Sequence, residues 1–292
     1  PSEGRSLDRG ADLFRYGIDP PYLYWAVVGA DGTLTHRPDV IAEVDRGYMI
    51  HDFLVTADFV VLIVNPVAFD FGHAAPLSWE PERGTRIALI PRGGSSGDVR
   101  WIETDAFWCW HYANAWQEGG EIVTCFPWWS HLGFGVPNLP PPTGYVARGR
   151  IDPAAGTFRL DKLDDRLTEF PRVDDRRLGR PTRYAMFAHK SPTALNLAGC
   201  FDELLRFDDR RGAAEVHPFP GSAIGEAVFA PKAGRSEETA GYILTIATDR
   251  ATLGSSFVVL DAEHFSGEPV AVVQLPRRVP LGLHGNWYPA DY

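Results

Sequence analysis

The chain has 292 residues, of which 45% are hydrophobic and 23% are charged, a composition typical of a globular protein with a substantial core. This length suits one large all-β domain or two ordinary domains. The formal net charge of −10 argues against a nucleic-acid partner, because nucleic acids bind basic surfaces. No apolar run reaches the roughly 18 residues that span a bilayer, although this leaves peripheral membrane contact open.

The cysteines and the first residue concern the compartment and the extent of the chain. Cys109, Cys125 and Cys200 form neither a CxxC pair nor an even-numbered disulfide framework. A reducing compartment is therefore favoured, and we expect a cytoplasmic protein. The chain begins with Pro1 rather than Met and shows no signal-peptide pattern, so we expect a longer chain that lacks its N-terminal part here.

Short apolar runs separated by turns rich in Asp, Gly and Pro predict an all-β protein. Several runs form pairs around a turn, such as Ala30-Asp31-Gly32, where glycine accepts a positive φ at little cost. The predicted strands are, in chain order, 22–28, 33–37, 59–64, 86–90, 121–126, 146–151, 157–160, 242–247, 257–260 and 270–275.

Helix signals are scarce, with weak patterns only at 106–115 and 191–197. The sequence shows no linker, charge run or low-complexity tract, so we predict a single domain over residues 1–292. Repeated hairpins in so long a chain favour a β-propeller, because radial repetition leaves only short, protected edge strands. A sandwich or jelly roll is the alternative.

Three dispersed histidines, His51, His111 and His284, lie next to glycine or aromatic residues. Imidazole is the commonest protein ligand of transition metals, and three histidines without a nearby carboxylate favour iron, copper or zinc. Only a closed fold could bring such distant residues together, so we predict a metal site at its centre. The glycines at 282 and 285 suggest a close backbone approach around His284.

The other six histidines are interpreted as structural, since a lone histidine is usually hydrogen-bonded rather than catalytic. His131 stands beside Trp128 and Trp129 and is the one that could also line a pocket. The six are His36, His73, His131, His189, His217 and His264.

Five strings occur in a characteristic order: MIHDFLVT at 49–56, HYANAW at 111–116, EFPR at 169–172, GEAVF at 225–229 and HGNW at 284–287. In this set the chain resembles the carotenoid cleavage oxygenases, a family with stilbene-cleaving and retinoid-isomerising members. The resemblance implies a seven-bladed β-propeller, of which this chain covers the later blades, with four histidines holding a non-haem Fe(II).

The resemblance assigns His51, His111 and His284 as iron ligands. It assigns Glu169 and Glu226 as acceptors for the outer imidazole N–H groups, an arrangement that fixes the tautomer and raises ligand basicity. Without it, Glu169 would be interpreted as part of a surface ion pair and Glu226 as a solvated turn residue. The first ligand would precede Pro1, so we expect this chain alone to bind iron poorly, which leaves its own activity open.

The activity implied is that of an Fe(II)-dependent dioxygenase that splits a C=C double bond of a carotenoid or apocarotenoid into two carbonyl products. Its partners would be O2 and a hydrophobic conjugated substrate, and no side chain is assigned a catalytic acid or base role. The aromatic residues crowded between Trp108 and Phe134 could line a substrate tunnel or simply fill the core. The alternatives are a stilbene- or lignostilbene-cleaving dioxygenase, a non-catalytic propeller that binds ligands and, less favoured, a zinc hydrolase.

Overall fold

The structure, a computed structural model, describes residues 5–6, 11–72, 75–194 and 199–288. These residues form 23 β-strands and four short 3₁₀ helices, with no α-helix among them, which confirms the all-β prediction. The weak helical pattern at 106–115 belongs instead to a loop that enters a strand, and the pattern at 191–197 lies partly outside the described residues. In the described part of the chain no helix is long and apolar enough to cross a membrane.

The chain divides into two compact units, which we describe separately. The first runs to Lys162 and includes Gly179–Pro181, whereas the second comprises Leu163–Leu178 and the chain from Thr182 onwards. The prediction of one domain over the whole chain stays a prediction.

The first unit contains three four-stranded antiparallel sheets, with strand orders β1-β2-β3-β4, β5-β6-β9-β10 and β11-β12-β13-β14. A hairpin of β7 and β8 is inserted between β6 and β9. The strands are β1 (Arg5–Ser6), β2 (Ala11–Tyr16), β3 (Leu23–Val28), β4 (Leu34–Val40), β5 (Leu54–Val55), β6 (Phe59–Val64), β7 (Val67–Phe69), β8 (Leu77–Trp79), β9 (Thr85–Pro91), β10 (Arg100–Thr104), β11 (Asn114–Glu118), β12 (Glu121–Trp129), β13 (Gly144–Asp152) and β14 (Thr157–Asp164).

The second unit contains one four-stranded sheet, β15-β16-β17-β18, and one five-stranded sheet in which β19 and β20 share the same partner, β21, followed by β22 and β23. The strands are β15 (Thr168–Arg172), β16 (Tyr184–His189), β17 (Glu203–Asp208), β18 (Ala213–Pro218), β19 (Ser222–Ile224), β20 (Val228–Pro231), β21 (Gly241–Asp249), β22 (Ser255–Asp261) and β23 (Ala271–Gln274). The 3₁₀ helices of the whole chain are Pro81–Arg83, Ser96–Asp98, Asp175–Arg177 and Ala262–His264.

Strand β6 is a continuous apolar run rather than an alternating one, and its burial explains why. Its residues Val60 and Leu62 belong to one core cluster, whereas Val61 and Ile63 belong to another. Successive side chains of a strand point to opposite faces, so both faces of this sheet are covered. Each fully buried aliphatic side chain contributes about 1.5–3 kcal/mol, which makes this the most strongly stabilised type of strand here.

The two edge strands differ in burial in the sheets that begin with β5, β11, β15 and β19. Strand β5 is fully buried and the first four residues of β15 are buried, whereas most of β14 and all of β23 are at least partly exposed. The buried edge is formed by the first strand of its sheet in chain order. Side chains on or just before these first strands therefore come to lie at the interior edges of the sheets.

Candidate functional site

His51 and His111 occupy matching positions in two successive sheets of the first unit. Each lies three residues before the first strand of its sheet, β5 for His51 and β11 for His111. Both side chains are partly buried, and their Nε2 atoms are 3.0 Å apart. The edges of these two sheets thus bring together two histidines that are 60 residues apart in sequence.

The buried carboxylate of Asp52 joins the two histidine-bearing segments. Its Oδ1 accepts the backbone N–H of Phe53 at 2.8 Å, and its Oδ2 accepts that of Tyr112 at 3.0 Å. The thiol of Cys109 donates to the carbonyl oxygen of His111 at 3.0 Å. The backbones next to both imidazoles are therefore fixed by side chains that do not themselves belong to the histidine pair.

Asn114, three residues after His111, attaches a distant loop to the start of β11. Its Oδ1 accepts the N–H of Gly179 at 2.9 Å, and its Nδ2 donates to the carbonyl of Arg180 at 2.8 Å. Because Asn114 is buried, losing either bond would leave a backbone group of that loop without compensation.

The separation of the histidine nitrogens fits metal coordination. Two ligands bound about 2.1 Å from one metal at a right angle would be separated by about 3.0 Å. Imidazole binds a metal in its neutral form. The pair therefore has the donor type and the spacing of two neighbouring ligands of a transition metal.

His284 lies in the second unit, in the segment that follows β23, and it contacts Glu226. Its Nδ1 is 3.3 Å from Glu226 Oε1, and the N–H of Gly285 donates to Glu226 Oε2 at 3.0 Å. Glu226 lies between β19 and β20, at the point where the regular pairing of the chain with β21 is interrupted. Its side chain is buried there and is only 6% exposed. This break in the edge strand is what places a carboxylate beside His284.

Opposing effects act on the pKa of Glu226. Burial raises it, whereas the hydrogen bond with His284, the positive charge of Arg172 and the N–H of Gly285 lower it further than burial raises it. The net direction is downwards, so Glu226 is a carboxylate that accepts hydrogen bonds.

The glycines beside His284 do not show the crowding that the sequence suggests. Among the described residues, a Cβ added at position 282 would meet no atom within 4 Å, and one at position 285 would lie 3.6 Å from Val228. The expectation of a close backbone approach at these two glycines is therefore not supported by the contacts of the second unit.

Glu169 lies on β15, where the pairing with β16 shifts register between Glu169 and Arg172. The next residue, Phe170, has a φ of 49°, donates its N–H to the Glu169 carboxylate and packs edge-on against His284 at 5.7 Å between ring centroids. Glu169 is buried, so a surface ion pair does not describe it, and Arg166 binds Asp164 instead.

The remaining described histidines make structural contacts. His189 pairs with Glu203 at 2.7 Å, His217 lies 3.2 Å from the carbonyl of Phe265, and His36 packs on Trp25. His264 is 82% exposed, and His131 is buried, with burial lowering its pKa. His73 lies outside the described residues.

The model of the retinal pigment epithelial membrane protein (RPE65) family matches residues 7–289. The chain belongs to this family. The resemblance to the carotenoid cleavage oxygenases is thereby confirmed, and the family is a group of non-haem iron enzymes.

Relatives within the family include enzymes named for two kinds of substrate. The chain is 27% identical to an isoeugenol monooxygenase of Pseudomonas nitroreducens over 94% of this chain and 61% of that protein. It is 29% identical to an apocarotenoid-15,15'-oxygenase of Synechocystis over 82% of this chain and 51% of that protein. A crystal structure of Pseudomonas brassicacearum lignostilbene dioxygenase matches with a TM-score of 0.86 and 26% identity, covering 96% of this chain and 64% of that one. The chain thus spans about half to three fifths of the length of these relatives.

The histidines and glutamates could be predicted from the sequence, but the residues that form hydrogen bonds with them and with their neighbouring backbone could not. Asp52, Asn114 and Arg172 are predicted only as members of the MIHDFLVT, HYANAW and EFPR strings, with no role of their own. The available signal was a charged or amide side chain next to each assigned residue in an apolar setting, where it must have partners.

Proposed function

We propose that the protein is an Fe(II)-dependent dioxygenase that cleaves a C=C double bond of a carotenoid or apocarotenoid. The observation that carries the proposal is the 3.0 Å separation of the Nε2 atoms of His51 and His111 in a chain of this family. The relationship to an apocarotenoid oxygenase supports the substrate class. Cleavage would place one atom of O2 on each of the two carbonyl products.

The proposed ligand set combines the pair of the first unit with His284 of the second. Glu226 would accept the Nδ1–H of His284, leaving Nε2 as the donor atom, and Glu169 would serve another ligand in the same way. Neutral imidazoles leave the positive charge of Fe(II) uncompensated, and Fe(II) would supply the chemistry that activates O2. In the same proposal, the sheets are successive blades of a seven-bladed propeller that this chain covers in part.

The residues of the chain would orient the substrate and keep water out. Trp110 contacts His51 edge-on at 5.5 Å between ring centroids, and Phe134 stacks on Trp110 at 4.9 Å. Trp110 is buried, whereas Phe134 is half exposed, so a flat aromatic surface leads outwards from the histidine pair. Such a surface suits a planar conjugated substrate, and the reaction needs no acid or base from the protein.

A second candidate substrate is a stilbene or another phenylpropanoid alkene. The similarity to the lignostilbene dioxygenase and the isoeugenol monooxygenase favours it. The same two-carbonyl reaction applies, and only the length and the polar ends of the substrate differ. We further propose a reducing compartment such as the cytoplasm, which the three buried cysteines support because they form no disulfide among the described residues.

The test is an incubation of the Fe(II)-loaded protein with ¹⁸O2 and either an apocarotenoid or a hydroxystilbene. We expect loss of the conjugated absorption band and one ¹⁸O atom in each carbonyl product, with the apocarotenoid consumed faster. Faster loss of the stilbene would select the second candidate. No cleavage of either compound by a protein that holds iron would contradict the enzyme and favour a binding protein.

A further inference from the structure

The segment that carries His284 has no strand of its own to hold it. After β23 ends at Gln274, residues 275–288 form no helix or strand, and nearly all of their side chains are exposed. Ser255 fixes the beginning of the segment by accepting the N–H of Val279 at 2.9 Å. The position of His284 therefore depends on side chains that reach the segment from elsewhere in the second unit.

Arg172 and Glu226 both form hydrogen bonds with the tripeptide His284-Gly285-Asn286. Glu226 takes the N–H of Gly285, and Arg172 donates to the carbonyl of the same residue at 3.0 Å. Arg172 also donates to Asn286 Oδ1 at 3.1 Å. Both polar groups of the Gly285 backbone are thus bound by side chains, as a neighbouring strand would otherwise bind them.

The side chains of Arg172 and Glu226 also form an ion pair with each other. Arg172 Nη1 lies 3.2 Å from Glu226 Oε2, and the two side chains are only 15% and 6% exposed. At such burial the electrostatic attraction between the two charges is only weakly screened by solvent. The guanidinium also donates to the carboxylate of Asp175 at 3.1 Å. The side chain of Arg172 therefore has hydrogen-bond partners in four different residues.

We propose that Arg172 is a positioning residue for His284, and that it acts by clamping His284-Gly285-Asn286 against Glu226. This inference rests on the proposed function only in so far as His284 serves as a ligand. A planar, fixed fork of donors is needed to reach a carboxylate, a backbone carbonyl and an amide oxygen at once. Lysine could supply the charge but not this geometry.

The test combines amide hydrogen exchange at Gly285 in the metal-free chain with a Co²⁺ titration followed by its visible absorption. In Arg172→Gln we expect exchange at Gly285 to accelerate roughly tenfold and Co²⁺ affinity to fall roughly 10–100-fold. Arg172→Lys should recover part of both effects. Asn286→Ala removes the exposed amide oxygen that accepts from Arg172, without disturbing the buried ion pair. Amide exchange at Gly285 should accelerate less in this variant than in Arg172→Gln.

Arg166→Gln is the matched control, because Arg166 forms a carboxylate pair in the same unit with Asp164. It should leave the Gly285 exchange rate and the Co²⁺ spectrum unchanged. Unchanged exchange in both Arg172→Gln and Asn286→Ala would overturn the clamp. Absence of Co²⁺ binding by the full-length wild-type protein would contradict the proposed function instead, so the two failures are distinguishable.

Discussion

Glu226 shows how one side chain can serve both a fold and a site. It accepts hydrogen bonds from the backbone of Gly285 and lies against His284 Nδ1, at a break in an edge strand. A carboxylate at this position would fix the imidazole tautomer in which Nε2 is the donor. The regular pairing with β21 is interrupted between β19 and β20, and there the carboxylate of Glu226 binds the segment that carries His284.

For Glu226→Gln we predict metal affinity about 10–100-fold below that of the wild type. Glutamine keeps the size of the side chain, but it offers one acceptor oxygen instead of two and no charge for Arg172. Affinity can be measured by Co²⁺ titration, with exposed Glu268→Gln as the control. Equal affinities in the two variants would reduce Glu226 to a structural residue.

At the scale of elements, Asp52 links the starts of two sheets. For Asp52→Asn we predict a loss of about 1–3 kcal/mol in the free energy of unfolding, since the amide NH2 would face one of the two backbone N–H groups that the carboxylate now accepts. Urea denaturation can measure this loss. Exposed Asp58→Asn should change stability by less than about 0.5 kcal/mol, and a similar change in both variants would contradict the linking role.

Protonation of Asp208, at the end of β17, should lower the stability of the second unit in acid. The hydrogen bonds from Arg183, at 2.7 and 2.6 Å, lower the pKa of Asp208 despite its burial. Because the folded pKa is below the unfolded one, this contribution is complete above about pH 5 and is lost as pH falls through the lowered value.

We therefore predict that stability falls less steeply between about pH 5 and pH 2 in Asp208→Asn than in the wild type. Urea unfolding across this range measures the slope. Parallel profiles would show that the Arg183–Asp208 pair does not contribute to acid sensitivity.

Particular strands show what the sequence could predict. Strand β6 was predicted with its observed bounds, because burial on both faces requires an unbroken apolar run. None of the predicted strands fell between 160 and 242, the part of the chain in which β15 shifts register and the edge strand breaks at Glu226. The register shift in β15 and the break at Glu226, which place the two glutamates, interrupt the local pattern of a strand. The same stretch also contains β16, β17 and β18, which pair in regular register and were missed as well.

The contacts of the site were less predictable than its residues. The resemblance named His51, His111 and His284, but Asp52 reaches Tyr112 across 60 residues and Arg172 reaches Asn286 across 114. No local pattern encodes such partners, because they depend on how different sheets are placed. A charged residue in an apolar stretch of sequence indicates that it needs partners, but it does not indicate which residues those partners are.

At the scale of the whole molecule, each unit repeats one design. Antiparallel sheets follow one another along the chain, those that begin with β5, β11 and β15 have a largely buried first strand, and His51, His111 and Glu169 lie on or next to these strands. In the proposed propeller, such edges would meet at a common centre. The family provides the reason to expect a metal there, and the proposed function depends on that metal.

The most direct test of this account is the metal affinity of His51→Ala, His111→Ala and His284→Ala, measured by anaerobic Fe²⁺ or Co²⁺ titration. Exposed His264→Ala is the matched control. We predict one metal per molecule of the full-length wild-type protein, unchanged affinity in the control and affinity lower by roughly tenfold or more in each of the three variants. Wild-type affinity in all three would contradict the shared site and, with it, the proposed oxygenase.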